Sequence, residues 1–80
     1  MRLFASAREA AGTGSDVFAV LDGATVADVL AAAEARYGAA FTAVLPTCRI
    51  WVNGDAVGDD TLVAADDEVA VLPPVSGGAQ

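Results

Sequence analysis

Apolar positions alternate along most of this chain and recur three and four apart in one stretch, and that switch of period predicts its elements. Arg2-Leu3-Phe4-Ala5 reads as a short strand close to the start, residues 7–11 have room for one helical turn, and Gly12-Thr13-Gly14-Ser15 reads as a loop. Asp16-Val17-Phe18-Ala19-Val20-Leu21, closed by Asp22-Gly23, predicts a second strand, so the Gly12-x-Gly14 pair is a hairpin loop rather than a phosphate cradle. Between 25 and 37 the period changes: Val26, Val29, Leu30, Ala33 and Tyr37 make one apolar stripe of a helix. Thr25 with Asp28 forms its capping box and Gly38 its stop. After a loop around 41–46, Cys48-Arg49-Ile50-Trp51-Val52 is a strand, Asn53-Gly54 a hairpin turn, and Asp55-Ala56-Val57 the return. Turns at Asp59-Asp60 and Ala65-Asp66-Asp67 lead to a last strand, Glu68-Val69-Ala70-Val71-Leu72, which Pro73-Pro74 ends. The order β-β-α-β-β-β is that of an α+β domain, one helix packed on a sheet of about five strands.

Strand parity separates the core from the outer face. Cys48, Ile50 and Val52 share one side, as do Val69 and Val71, and these small side chains suit the space beneath the helix. Trp51 and Leu72 fall on the opposite face, which no second helix is expected to cover. With Phe4 they predict an exposed apolar patch, a protein-contact surface. Cys48 on the core side reads as a small buried hydrophobe rather than a reactive thiol.

Composition then removes most chemistry. Eighty residues make one domain with a thin core, assigned to 1–74, and the 55% apolar content argues against disorder. There is no His, no Lys and a single Cys, so neither a Ser-His-Asp nor a Cys-His relay, nor a disulfide within the chain, nor a Cys-based zinc site can be built. The acids at 59, 60, 66 and 67 lack calcium-loop spacing. No independent active site, bound cofactor or metal is expected. A net charge of −7, with four Arg against eleven acids, excludes nucleic acid and anionic membrane surfaces and steers the chain towards basic protein surfaces. No apolar run reaches the roughly 18 residues of a membrane span, and Ala5-Ser6-Ala7 lacks the apolar stretch of a signal peptide ahead of it, so the expected location is cytoplasmic.

What remains is the tail at 75–80. Two prolines stiffen the exit from the last strand, and Gly77-Gly78 remove bulk where a backbone could thread a narrow channel. Extended at roughly 3.3 Å per residue, 73–78 would reach about 20 Å.

Several segments now coincide: Leu3-Phe4-Ala5 with Arg8-Glu9, Gly23-Ala24-Thr25-Val26-Ala27-Asp28-Val29-Leu30, Val52-Asn53-Gly54, Asp67-Glu68-Val69-Ala70, and Pro73-Pro74-Val75-Ser76-Gly77-Gly78. In these the chain resembles the small subunits of molybdopterin synthase, sulfur carriers of the ubiquitin-like β-grasp (MoaD/ThiS) family. The ending is the specific part; the helix start is common sequence. The resemblance implies a β-grasp fold and a protein that is a substrate. An E1-like adenylating enzyme uses ATP to activate the terminal Gly78 carboxylate, sulfur replaces an oxygen, and the large synthase subunit presents the thiocarboxylate to a pterin precursor. Pro74, Val75, Ser76 and Gly77 thread the partners' channels, and Trp51, Leu72, Phe4 and Arg8 bind them. Family chains usually end at the second glycine, whereas Ala79-Gln80 follow it here, so a processing protease is expected to expose Gly78. They also commonly carry a few more residues before the first strand. Two alternatives stay open: a thiocarboxylate carrier serving cysteine, thiamine or tRNA thiolation, with Pro73-Pro74 arguing against thiamine, and a β-grasp binding or conjugating module that carries no sulfur.

Overall fold

The main helix, α2 (Val26–Tyr37), begins where its capping box places it. In the computed structural model, which describes residues 1–74, the Asp28 N–H donates to the Thr25 hydroxyl at 3.3 Å and the Thr25 N–H to the Asp28 carboxylate at 2.9 Å. Val26 and Ala27 donate across the chain to the carbonyls of Thr61 and Asp59, both at 2.9 Å. The donors a helix start leaves unpaired are thus satisfied, two locally and two by the 59–61 turn. The stripe Val26, Val29, Leu30 and Ala33 is buried.

It is buried against a mixed four-stranded sheet. Strands β1 (Arg2–Leu3), β2 (Arg49–Val52), β3 (Asp55–Ala56) and β4 (Val69–Leu72) lie in the order β1-β4-β2-β3. β1 runs parallel to β4, and the β2 pairings are antiparallel. Leu3, Ile50, Val52, Val69 and Val71 face α2 within the core, as parity predicts. At the β2–β3 turn Asn53 and Gly54 both take positive φ, 52° and 88°, the type I′ geometry that matches strand twist.

Three expectations are corrected. Residues 16–21 are not a strand: pairing with β1 stops at one bridge, Arg2 with Ser15, so the sheet has four strands, not five. The cause is a cluster that draws the chain off the ladder, in which Arg36 Nη1 donates to the Val17 carbonyl at 2.8 Å and the Tyr37 hydroxyl to Asp16 at 2.7 Å. The loop expected around 41–46 is helix α3 (Ala39–Val44) followed by a 3-10 turn, Leu45–Thr47. Phe41, Val44 and Leu45 are spaced as a helical face, and Phe41 is fully buried at 0% exposure. Pro46 sits in the first turn of the 3-10 segment, where its missing N–H is not needed. The helical turn near the start is a full helix, α1 (Ala5–Ala11), whose first N–H groups donate to the Phe4 carbonyl. It packs against α3 and β4.

Candidate functional site

The sheet face away from α2 is assembled by register. In one row across the strands Arg2 lies beside Ala70, Ala70 beside Trp51, and Trp51 beside Ala56. In the next, Arg49 lies opposite Leu72, and the Phe4 N–H continues the β1–β4 pairing by donating to the Val71 carbonyl at 3.2 Å. Trp51 and Leu72 are therefore diagonal neighbours, close enough for an indole to span. Both are half-buried, and Phe4 is 40% exposed. The structure thus gathers Phe4, Trp51 and Leu72 on one face, and β4 runs from it directly into Pro73 and the exposed Pro74.

Arg8 is not among them. It lies on α1 with its guanidinium stem against the 12–14 loop, so close that a Cβ on Gly14 would sit 3.2 Å from Nε. Val75, Ser76, Gly77, Gly78 and Ala79-Gln80 lie outside the described residues.

Arg2 and Arg49, which the sequence reading did not single out, share this face; the two-residue repeat that places Trp51 there places Arg49 with it. Both are exposed, and the Arg2 guanidinium carbon stands 5.9 Å from the centroid of the Phe4 ring. Half of the chain's four arginines therefore fringe this apolar face. Glu68, just ahead of β4, stands 3.6 Å from the Met1 ammonium. The −7 net charge does not describe the face: Asp22, Asp55, Asp59, Asp60 and Asp66 sit on exposed turns and edges elsewhere.

Other reactive groups are committed to structure. Cys48 is half-buried, its Sγ donating to the Val44 carbonyl at 3.4 Å, and burial pushes its thiol pKa up, away from the reactive thiolate. The Tyr37 hydroxyl is pushed up to about 12, first by burial and then by its bond to Asp16. Asp16 is held below the usual carboxylate value by that bond and by the Val17 N–H, with Arg36 3.2 Å away. Arg36 also stacks 3.9 Å over Phe18. Asp67 is lowered by the Ala64 N–H and the Asn53 amide. Among the described residues no three His, Cys, Asp or Glu side chains are grouped to hold a metal, and no helix is long and apolar enough to cross a membrane.

Known proteins resemble the chain over nearly its whole length. The model of the ThiS family matches residues 1–78. The molybdopterin synthase sulfur carrier subunit of Chlamydomonas reinhardtii is 39% identical, over 94% of this chain and 92% of that protein. Small archaeal modifier protein 3 of Haloferax volcanii is 36% identical, over 98% and 96%. Among solved structures, SAMP1 from Haloferax volcanii superimposes with a TM-score of 0.86 at 34% identity, over 96% of this chain and 94% of that one.

Proposed function

Because this chain belongs to the ThiS family, we propose that it is the sulfur-carrying subunit for molybdopterin synthesis, acting through the carboxylate of Gly78. The observation that carries this reading is the 39% identity to a molybdopterin synthase sulfur carrier subunit over 94% of the chain, together with the Pro-Pro-Val-Ser-Gly-Gly run at 73–78.

The chemistry follows from what a carboxylate lacks. Its charge repels nucleophiles and its oxygen is a poor leaving group, so an activating partner must first convert it. Water cleaves the Gly78–Ala79 peptide bond, leaving the Gly78 carboxylate. That carboxylate attacks the α-phosphorus of ATP on an E1-like enzyme, displacing pyrophosphate and forming an acyl-adenylate. Hydrosulfide, free or released by a donor protein, then attacks the acyl carbon and displaces AMP, leaving a thiocarboxylate. The large synthase subunit holds the carrier while the thiocarboxylate sulfur bonds to the pterin precursor, and water then cleaves the acyl–sulfur bond, leaving the sulfur on the pterin and regenerating the carboxylate. This chain contributes no catalytic side chain and binds no cofactor; ATP belongs to the activating enzyme. Its own part is a backbone arm and a docking face. Phe4, Trp51 and Leu72 supply the apolar centre, and Arg2 and Arg49 select a partner surface with carboxylates at its rim.

The test is the intact mass of a Gly78-terminated form incubated with the activating enzyme, ATP and a sulfur donor. A gain equal to exchange of one oxygen for sulfur is expected, followed by its loss when the large subunit and precursor are added. No gain with partners proven competent on another carrier refutes the reading.

A second reading rests on the likeness to two small archaeal modifier proteins. In it an amine of another protein displaces AMP and an amide forms. Isopeptide-linked adducts in native extracts, with no thiocarboxylate form, favour that reading.

A further inference from the structure

Residues 16–21 leave an unusual margin on the fold. The segment is pinned at both ends, by Arg36 and Tyr37 at Asp16 and Val17, and by the Ala24 N–H donating to the Leu21 carbonyl at 3.0 Å. Between the pins, among the described residues, the backbone N–H and C=O groups of Phe18, Ala19 and Val20 have no hydrogen-bond partner. Its side chains still alternate as in a strand. Phe18 and Val20 pack against the core, while Val17 and Leu21 are 83% and 82% exposed. Natural sheets usually blunt such an edge with lysines, a proline or a covering element; residues 16–21 hold no Lys or Pro, and among the described residues the backbone of 18–20 is paired with nothing.

Beside this edge runs a groove of about 430 Å³ against α2, lined by Ala19, Val20, Leu21, Val29 and Ala32, with Asp22 and Asp28 at one end. Asp22 is exposed, and Asp28 uses Oδ2 for the helix cap. Arg36, one turn further along α2, does not line the groove and is already matched by Asp16 at 3.2 Å. Arg2 and Arg49 lie on the opposite face of the sheet and Arg8 on α1, so the groove is apolar along its length and negative at the Asp22 end.

We propose that the 17–21 edge and this groove dock an extended peptide segment of a partner protein. The segment carries alternating apolar residues and ends in Lys or Arg beside Asp22 and Asp28. It adds as a strand, pairing with the backbone groups of every second residue along 17–21, and sets every second side chain against Val20, Val29 and Ala32. Charge selects this occupant over a second copy of the chain, which would bring another −7 molecule and its own carboxylates to the same edge. The groove is on the α2 side of the sheet and the Trp51 face on the other, so both can be occupied together.

The test is an NMR titration of the full ¹⁵N-labelled chain with the synthetic peptide Arg-Lys-Val-Thr-Val-Thr-Val. The amides of 17–22, Val29 and Ala32 are expected to shift while Trp51 and Leu72 stay in place. The counterpart beginning Glu-Glu is expected to bind about tenfold more weakly, and Asp22→Asn to weaken the basic peptide about three- to tenfold. N-methylating alternate amides of the peptide in two frames is expected to abolish binding in at least one. Asp22 is an exposed turn residue, so its variant keeps the native spectrum elsewhere. Four outcomes each overturn the proposal: no saturable binding at millimolar peptide, equal binding of the two charge variants, undiminished binding of both methylated frames, or the same shifts produced by self-association without peptide.

Discussion

Replacing Asn53 separates two contributions to the hairpin that carries Trp51. Asn53 has φ 52°, a left-handed conformation that costs an ordinary L-residue about 1–2 kcal/mol. Its side chain also extends the β2–β4 ladder by one step. Oδ1 accepts from the Glu68 N–H at 2.8 Å, and Nδ2 donates to Asp67 at 2.9 Å. A protein hydrogen bond nets about 0.5–1.5 kcal/mol, and this exposed pair belongs at the low end, about 1 kcal/mol together. Asn53→Ala loses both contributions, about 2–3 kcal/mol. Asn53→Gly tolerates the positive φ and loses only the bonds, about 1 kcal/mol. A chain of this length has roughly 4–12 kcal/mol of stability, so the alanine variant loses a sizeable share. Urea unfolding followed by Trp51 fluorescence measures the difference, and at about 4–8 °C per kcal/mol the midpoint of thermal unfolding falls by roughly 8–24 °C for alanine. Equal losses for glycine and alanine would refute the backbone contribution. A loss under about 0.5 kcal/mol for alanine would refute both. A double-mutant cycle with Asp67→Ala isolates the side-chain bond, with a coupling of about 0.5–1 kcal/mol.

Phe41→Ala removes a fully buried ring in edge-on contact with Tyr37, centroids 5.2 Å apart, and is expected to cost about 3–5 kcal/mol in chemical denaturation; a loss below about 1 kcal/mol would show α3 to be dispensable to the core. Trp51→Ala leaves the fold intact, because the indole is only half-buried, and is expected to weaken binding to the large synthase subunit by about 2 kcal/mol, roughly thirtyfold, in titration calorimetry; unchanged affinity removes this face from the docking reading. Asp16 and Asp67 both lie below 3.8 in the fold, so what they contribute is present above that pH and lost as pH falls through their folded values; Asp16→Asn and Asp67→Asn should each flatten the acid limb of the stability profile, and an unaltered limb contradicts the assignment. Tyr37 works in the other direction, its contribution present below pH 10 and lost as pH rises through about 12, so Tyr37→Phe should flatten the alkaline limb.

Where local chemistry and tertiary packing agree, this fold was legible in its sequence. The capping box of Thr25 and Asp28 fixes the start of α2 within four residues, and Asn53-Gly54 specifies a turn geometry few other pairs adopt. Parity on β2 and β4 needed nothing beyond the two-residue repeat, and it placed Trp51 and Leu72 on the open face. The departures have separate physical origins. Val17 to Leu21 has strand composition, but side chains about twenty residues on anchor its start elsewhere, Arg36 at the Val17 carbonyl and Tyr37 at the Asp16 carboxylate. α3 was masked by Gly38 and Pro46, two residues that interrupt a helix in isolation, although the Phe41, Val44, Leu45 spacing was there to be read. The reading of Arg8 came from the resemblance alone; the structure places its side chain on α1 against Gly14.

The scarcity of reactive side chains takes on a different meaning once charge is read by location. On the proposed reading the chain is acted upon by others, and such a protein needs recognition surfaces more than nucleophiles. Two of four arginines fringe the apolar face from which β4 leads to the Gly77-Gly78 arm, while carboxylates close one end of the groove on the α2 side. On that reading the two surfaces prefer partners of opposite charge. A protein that handles the C-terminus and one that offers a basic-ended strand do not compete for the same site. The two surfaces are also separable by mutation: Trp51→Ala should leave peptide binding at the 17–21 edge unchanged, and Asp22→Asn should leave large-subunit affinity unchanged. If either substitution moved both, the sheet would be acting as one coupled surface, and the division by charge would have no functional content.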